Sequence, residues 1–458
     1  MGEFSVSGQQ AVVVGAARSG VAAAELLSSR GAHVTLTDLR TDVEPAARLR
    51  AAGVALELGG HREGTFTRAD LVVLSPGVPP RQPVIEAARA AGVPIMGEVE
   101  LASRWLRGRL VAVTGTKGKS TTTTLTGRML DAAGVPVMVG GNIGPALSAQ
   151  VDRSAPDVIH VVEVSSFQLE LTETFHPWIA VMLNFSPDHL DRYASLDEYA
   201  EAKARIFSNQ LDTDAVVVNA DDAEALALAR RSRASHLLFA MASPLTDGVV
   251  LTEEAISRRT PAGDVLLVPR SAVHLIGRHL LSDVLAAAAV ATLAGVPPEA
   301  MTQAVASFTG LEHTLEPVGE VDGVRFVNDS KATNVAAARG AIESFPHGLV
   351  PIIGGRWKGG RLSDLGPALA SRAEVVVTIG EARPLVRDAL SDVVNVHEAD
   401  TLAEAVRSAF ALAPPGGTVL LVPACASFDM FRDHAERGRA FKQEVARLRE
   451  EMRTTREQ

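Results

Sequence analysis

The stretch "VAVTGTKGKSTTTTLTG", residues 111–127, joins an apolar run to glycines and a Lys-Ser-Thr triplet. Leu110 to Val113 reads as a buried strand, and the residues after the triplet read as a helix. Gly115 and Gly118 let the backbone around Thr116 turn its N–H groups toward an anion. Lys119 supplies a cation for the outer phosphates, and Ser120 or Thr121 stands where a hydroxyl meets Mg²⁺ at a helix N-terminus. Lys117 adds a second positive charge to the same loop. The common phosphate loop has a glycine where Val113 stands. An ordinary strand–turn–helix with a capping serine is the plainer reading, but the order strand, Gly-x-x-Gly-Lys-Ser-Thr, helix favours a nucleotide.

A nucleotide with Mg²⁺ calls for hard oxygen donors. Glu163 closes the apolar run "DVIHVVEV", and an acid at the C-terminal end of a parallel strand faces the crevice where ligands bind. Asp188, His189 and Asp191 follow the run "IAVMLNF" in the same way. Lys203 has Tyr199 and Phe207 four residues to either side, so all three share one helix face and the lysine points toward the core. A snorkelling lysine is one reading. A desolvated lysine can also lose its proton and become chemically available.

Other polar clusters also follow apolar runs. "VVVGAARSGVAAAELL" is a dinucleotide-type fingerprint with Ala17 in place of its middle glycine, and Asp38 ends the next run. "LSPGVP", Ser75 to Pro79, is another turn at a strand end. Together they suggest a nucleotide-like ligand held without redox chemistry. Near the C-terminus, Asp329, Ser330, Lys331, Thr333 and Asn334 crowd one loop. There Ser330 or Thr333 is the expected helix cap. Lys358 lies in a glycine-rich turn, and Ser427 and Phe428 follow "LLVPA". Cys425 reads as a small core residue.

The elements that position these residues alternate between Val/Ile/Leu-rich strands and Ala-rich helices, the pattern of parallel α/β sheets. The strands outnumber what one sheet holds. We expect three groups, 1–104, 105–311 and 312–458, with an antiparallel hairpin region in 234–275. With 458 residues, 47% hydrophobic and 21% charged, the chain is globular and multidomain. A net charge of −10 argues against non-specific nucleic-acid or membrane binding. One cysteine and no visible signal peptide fit a reducing, cytoplasmic setting. The apolar run Val284 to Val296 is too short to span a bilayer.

In this order, "TGTKGKSTTT", "GGNIG", "EVSSFQLE", "SPDHLDRY", "EYAEAKARI", "NDSKATN", "IIGGRWKGG" and "PACASFD" resemble the Mur ligase family, and within it the members that add D-glutamate. The family's phosphate loop puts its glycine at Gly115. The resemblance implies a Rossmann-like N-terminal domain for a UDP-sugar, a central ATPase domain and a Rossmann-like C-terminal domain for an amino acid. The implied reaction is ATP-dependent addition of D-glutamate to UDP-N-acetylmuramoyl-L-alanine through an acyl phosphate, by a monomer. Lys119 would hold phosphates, Ser120, Thr121 and Glu163 one Mg²⁺, and His189 a second, bridged by a carbamylated Lys203. Arg18, Ser19, Asp38, Ser75, Pro76, Gly77, Asn142 and Gln168 would meet the UDP-sugar. Lys331, Thr333, Lys358, Ser427 and Phe428 would surround D-glutamate, with Asp329 and Lys331 toward the nucleotide.

Three motifs depart from the family pattern. Thr314 replaces an arginine that approaches the phosphates, with Lys117 a partial substitute for its charge. Leu280 and Asp283 replace two asparagines, the first of which faces adenine, and His434 replaces an aromatic residue. A ligase for L-glutamate or another acceptor, or a non-catalytic relative, are the alternatives these positions raise.

Overall fold

The computed structural model describes residues 4–189 and 192–457. The β-branched runs form strands and assemble into three sheets. The first sheet is five-stranded and wholly parallel, in the order Ala55–Leu58, His33–Asp38, Gln10–Val14, Leu71–Leu74, Ile95–Gly97. Its central strands are apolar at nearly every position because helices cover both faces. Gly15, at φ +95°, turns the chain from the first strand into the helix Arg18–Ser29. A Cβ on Gly20 would collide with the Gly15 carbonyl oxygen, so strand and helix meet as closely as backbone allows.

The second sheet has nine strands. Six parallel strands run in the order Ser235–Ala240, Ala215–Asn219, Ile179–Met182, Arg109–Thr114, Ile159–Glu163, Val137–Gly141. Gly248–Leu251 joins Ser235–Ala240 in parallel. Ala255–Thr260 and Gly263–Pro269 then add antiparallel, as expected for 234–275. The apolar run beginning at Val284 belongs to the core helix Arg278–Leu293, where Val284 to Ala291 are fully buried. Among the described residues no helix is long and apolar enough to cross a membrane.

The third sheet has six strands, ordered Glu316–Val321, Val324–Asn328, Thr418–Leu421, Leu349–Gly354, Val375–Ile379, Asn395–Glu398. Only the first pair is antiparallel. It is closed by Asp322 and Gly323, both at positive φ, in a tight hairpin. The long helix His434–Glu457 follows the last parallel strand.

The chain divides into two compact units, 1–273 with 282–307 and 274–281 with 308–458. The first carries two sheets. They are tied by Glu100, on the helix Glu98–Ser103. Its buried carboxylate accepts from the backbone N–H groups of Glu173, Thr174 and Phe175, from Thr174 Oγ1 and from Arg104 Nε. The second unit carries the third sheet and the start of the helix Arg278–Leu293.

Candidate active site

The phosphate loop leaves the C-terminal end of the strand Arg109–Thr114 and enters the helix Lys119–Ala132. Gly115 and Gly118 take φ +152° and +83°, conformations a side chain would strain. Lys119 Nζ donates to the carbonyls of Gly115 and Thr116, both at 3.0 Å. Two residues brace this loop: Asn184, not singled out in the sequence, and Asp283, noted there only as a departure from the family pattern. The Asn184 side chain accepts from Thr116 N and Lys117 N at 3.0 and 2.8 Å and donates to Lys117 O at 3.1 Å. Asp283 packs so tightly under Gly118 that a Cβ there would collide with Oδ1. Burial pushes the Asp283 carboxyl well above the usual range, against the Lys119 charge and a bond to Thr121. Asn184 could have been noticed as a polar end to an apolar strand. Asp283 stands out as a replaced asparagine, but nothing in the sequence shows that it packs under Gly118.

Lys203 lies beneath the same loop. Its helix, Leu196–Ala204, is capped by Ser195, and its Nζ donates to Gly115 O at 2.8 Å and sits 4.8 Å from the Tyr199 ring centre. Only 1% of Lys203 is exposed, so the amine does not snorkel. Burial, with the charges of Lys119 and Lys117, pulls its pKa well below the ordinary lysine value. Asp188 faces Lys117 at 3.5 Å. Burial raises its carboxyl, but the charges of Lys117 and His189 prevail and hold it low. His189, at φ +55°, has its ring 4.8 Å from that of Phe167. Asp191 lies outside the described residues.

Glu163 ends its strand as expected and is 2% exposed. Oε1 accepts from Asn142 Nδ2 at 2.7 Å, while Oε2 is buried with no partner. The carbonyl of Asn142 in turn accepts from Arg18 Nη2 at 2.9 Å, so Arg18, Asn142 and Glu163 form one chain of contacts. Gln168 closes a capping box with Ser165, leaving its buried Nε2 unpartnered. An orphaned carboxylate oxygen suits a cation. Among the described residues no three His, Cys, Asp or Glu side chains gather as a metal cage. That sparse donor set fits Mg²⁺, which takes few protein ligands and keeps phosphate and water oxygens.

Other expected contacts turn inward. Asp38 accepts from Ala16 N and from Arg40, whose guanidinium holds its carboxyl well below the usual range. Ser75 Oγ donates to Gly15 O at 3.0 Å, and Pro76 O accepts from Arg192. Ser19 is half-buried near the start of its helix, and a Cβ on Gly77 would meet open space.

In the second unit, three turns follow three adjacent strands. Thr333 and Lys358 come together there, with Lys358 Nζ donating to Thr333 Oγ1 at 3.5 Å. Asn334, rather than Ser330 or Thr333, caps the next helix by accepting from Ala337 N. Lys331 is exposed, and Asp329 is buried with its pKa pushed up to about 7 by desolvation. Ser427 is buried, whereas Phe428 stands 62% exposed. Cys425 is buried and its thiol is pushed up to about 11, a core residue as expected. Leu280 is buried in the apolar cluster of this unit with Leu315 and Ile342, so its side chain serves packing. Thr314 Oγ1 is buried without a partner, and the His434 ring stands edge-on to His313 at 6.4 Å.

Comparison with known proteins gives matches to the Mur ligase MurD-like N-terminal domain over residues 9–97, the Mur ligase middle domain over 113–291 and the Mur ligase glutamate ligase domain over 315–425. The chain is 46% identical over 444 residues to the UDP-N-acetylmuramoylalanine–D-glutamate ligase of Acidobacterium capsulatum, covering 96% of each. It is 45% identical to the enzyme of that name from Anaeromyxobacter dehalogenans, over 95% of this chain and 97% of that one. The fold is also that of the UDP-N-acetylmuramate–alanine ligase of Thermotoga maritima (TM-score 0.62, 20% identity, 96% of this chain and 100% of that one). The MurF ligase of the same organism, solved with ADP, gives a TM-score of 0.59 at 16% identity, over 97% of this chain and 96% of that one. With its phosphate loop, its strand-end carboxylate and relatives this similar along nearly its whole length, the chain belongs to the Mur ligase family.

Proposed function

We infer that this protein is an ATP-dependent ligase that adds D-glutamate to UDP-N-acetylmuramoyl-L-alanine in peptidoglycan precursor synthesis. The observation that carries the reading is 46% identity, over 96% of both chains, to a relative of that name. The substrate carboxylate attacks the γ-phosphorus of ATP, the bond to the bridging oxygen breaks, and ADP leaves. The amine of D-glutamate then attacks the acyl carbon and phosphate departs. The amine proton is lost and the amide remains. Such chemistry depends on positioning and on neutralising charge.

The division of labour is our proposal. Gly115, Thr116, Lys117, Gly118 and Lys119 cradle the phosphates, with Asp329 and Lys331 toward the nucleotide. Ser120, Thr121 and Glu163 would hold one Mg²⁺, a reading supported by the orphaned Glu163 oxygen. His189 and the carbamate form of Lys203 would hold a second. When bound, the ions offset charge on the transferring phosphoryl group. The depressed basicity of Lys203 supports a carbamate: the neutral amine adds to CO₂, a proton leaves, and a buried lysine becomes a carboxylate. Arg18, Ser19, Asn142, Gln168 and the Ser75–Gly77 turn serve the UDP-sugar, with Asp38 shaping the loop behind them. Thr333, Lys358, Ser427 and the Phe428 backbone serve D-glutamate. The three domains are 1–104, 105–311 and 312–458, in the cytoplasm where nucleotide-linked sugars are made.

The test is phosphate release from ATP and Mg²⁺ with UDP-N-acetylmuramoyl-L-alanine, comparing D-glutamate, L-glutamate and no amino acid. Release that requires D-glutamate is expected. Release with L-glutamate alone, or none with folded protein and bicarbonate, overturns the reading.

A further inference from the structure

Among the described residues Arg437 is the largest fully buried side chain, at 1% exposure. It lies in the first turn of the helix His434–Glu457 and reaches under the turns of the second unit. Nε donates to Ser330 Oγ at 3.0 Å and Nη2 to Ser330 O at 2.9 Å. Nη1 and Nη2 both donate to Cys425 O at 3.2 Å. The third turn rests on it too: a Cβ on Gly355 would stand 3.2 Å from Nη1. One guanidinium thus backs the loop of Lys331 and Thr333, the turn of Lys358 and the loop of Ser427.

Every one of these acceptors is neutral. Burial lowers the Arg437 pKa to about 10, which leaves it charged at neutral pH. Asp429 is the carboxylate whose charge reaches it, and Asp429 Oδ2 is engaged with Glu381 N at 2.9 Å. A guanidinium buried without a bonded carboxylate carries a desolvation cost, which an anion brought close to it offsets. A packing role alone would be met by a neutral side chain of similar length.

Resting on the reading of these turns as the D-glutamate site, we propose that Arg437 is a positioning residue for the acceptor amino acid. It holds the three turns in register and sets a positive potential behind them that a dicarboxylate completes. It does not touch the ligand. Arg437→Lys keeps the charge and loses the fork between two carbonyls; Arg437→Met loses both. The measurement is the KM for D-glutamate, ATP and UDP-N-acetylmuramoyl-L-alanine, with the unfolding midpoint of each variant. The KM for D-glutamate is expected to rise about tenfold in Arg437→Lys and about a hundredfold in Arg437→Met, while the other two KM values change less than about threefold. Equal changes in all three, or a lowered midpoint with unchanged KM values, overturn the proposal. If the parent shows no D-glutamate-dependent release, the functional reading fails on its own. The variants are then compared by the rise in unfolding midpoint that glutarate produces. A rise in the parent that is absent in Arg437→Met supports the proposal, and any other result overturns it.

Discussion

At Lys203 the ammonium form has lost its water and gained two neighbouring lysines, so the neutral amine is favoured. With ¹³C-bicarbonate the parent is expected to show a carbamate carbon signal that Lys203→Ala lacks, and kcat of that variant to fall about a thousandfold. A parent without the signal at saturating bicarbonate would sink the carbamate. Glu163→Gln keeps the bond to Asn142 but neutralises the orphaned oxygen. The Mg²⁺ concentration for half-maximal rate is expected to rise about tenfold. An unchanged Mg²⁺ requirement removes Glu163 from the metal site. These two residues were legible because each stands at a position its type does not suit, a lysine on an apolar face and an acid ending an apolar strand. The bracing roles of Asn184 and Asp283 were not, since bracing a loop from another element depends on contacts that sequence spacing does not encode.

Among the elements, the turn from strand to helix at Gly118 is the tightest part of the nucleotide loop. Gly118→Ala meets both a positive φ and the Asp283 carboxyl. It should lower the unfolding free energy by about 2 kcal/mol and weaken binding of an ATP analogue; wild-type values in urea unfolding and titration would refute the packing described. The helix Glu98–Ser103 should matter as much to stability. Glu100→Ala leaves three N–H groups, that of Phe175 buried, and Arg104 Nε without their acceptor, a loss of about 4 kcal/mol. A loss under about 1 kcal/mol would mean that water replaces the carboxylate. The strands themselves were readable from alternating composition. The cap at Asn334 was not, because "NDSKATN" offers several capping side chains and only the backbone path selects among them.

At the scale of the molecule, the second sheet buries His160 completely, between Ser154 Oγ and Gln150 Oε1. Desolvation lowers its pKa from 6.5 to about 4. A depressed histidine stabilises the fold fully above its unfolded pKa, and the contribution is lost as pH falls through the folded one. About 3 kcal/mol should therefore disappear between pH 6.5 and 4. His160→Gln should flatten that part of the stability–pH curve, and equal slopes in the two proteins would exclude the effect. The three-sheet organisation could be read from the number of strands. The grouping of 274–281 with the second unit could not, because the helix Arg278–Leu293 continues without a break past the change at Ser282.

Gly15 and Gly20 serve the meeting of strand and helix, while Ala17 stands where the fingerprint's remaining glycine would admit a pyrophosphate. The two surviving glycines are those the architecture cannot spare, so this signature testifies to carpentry rather than to cargo. A survey that counted glycines alone would file the chain among the dehydrogenases. One that asked what each glycine makes room for would not.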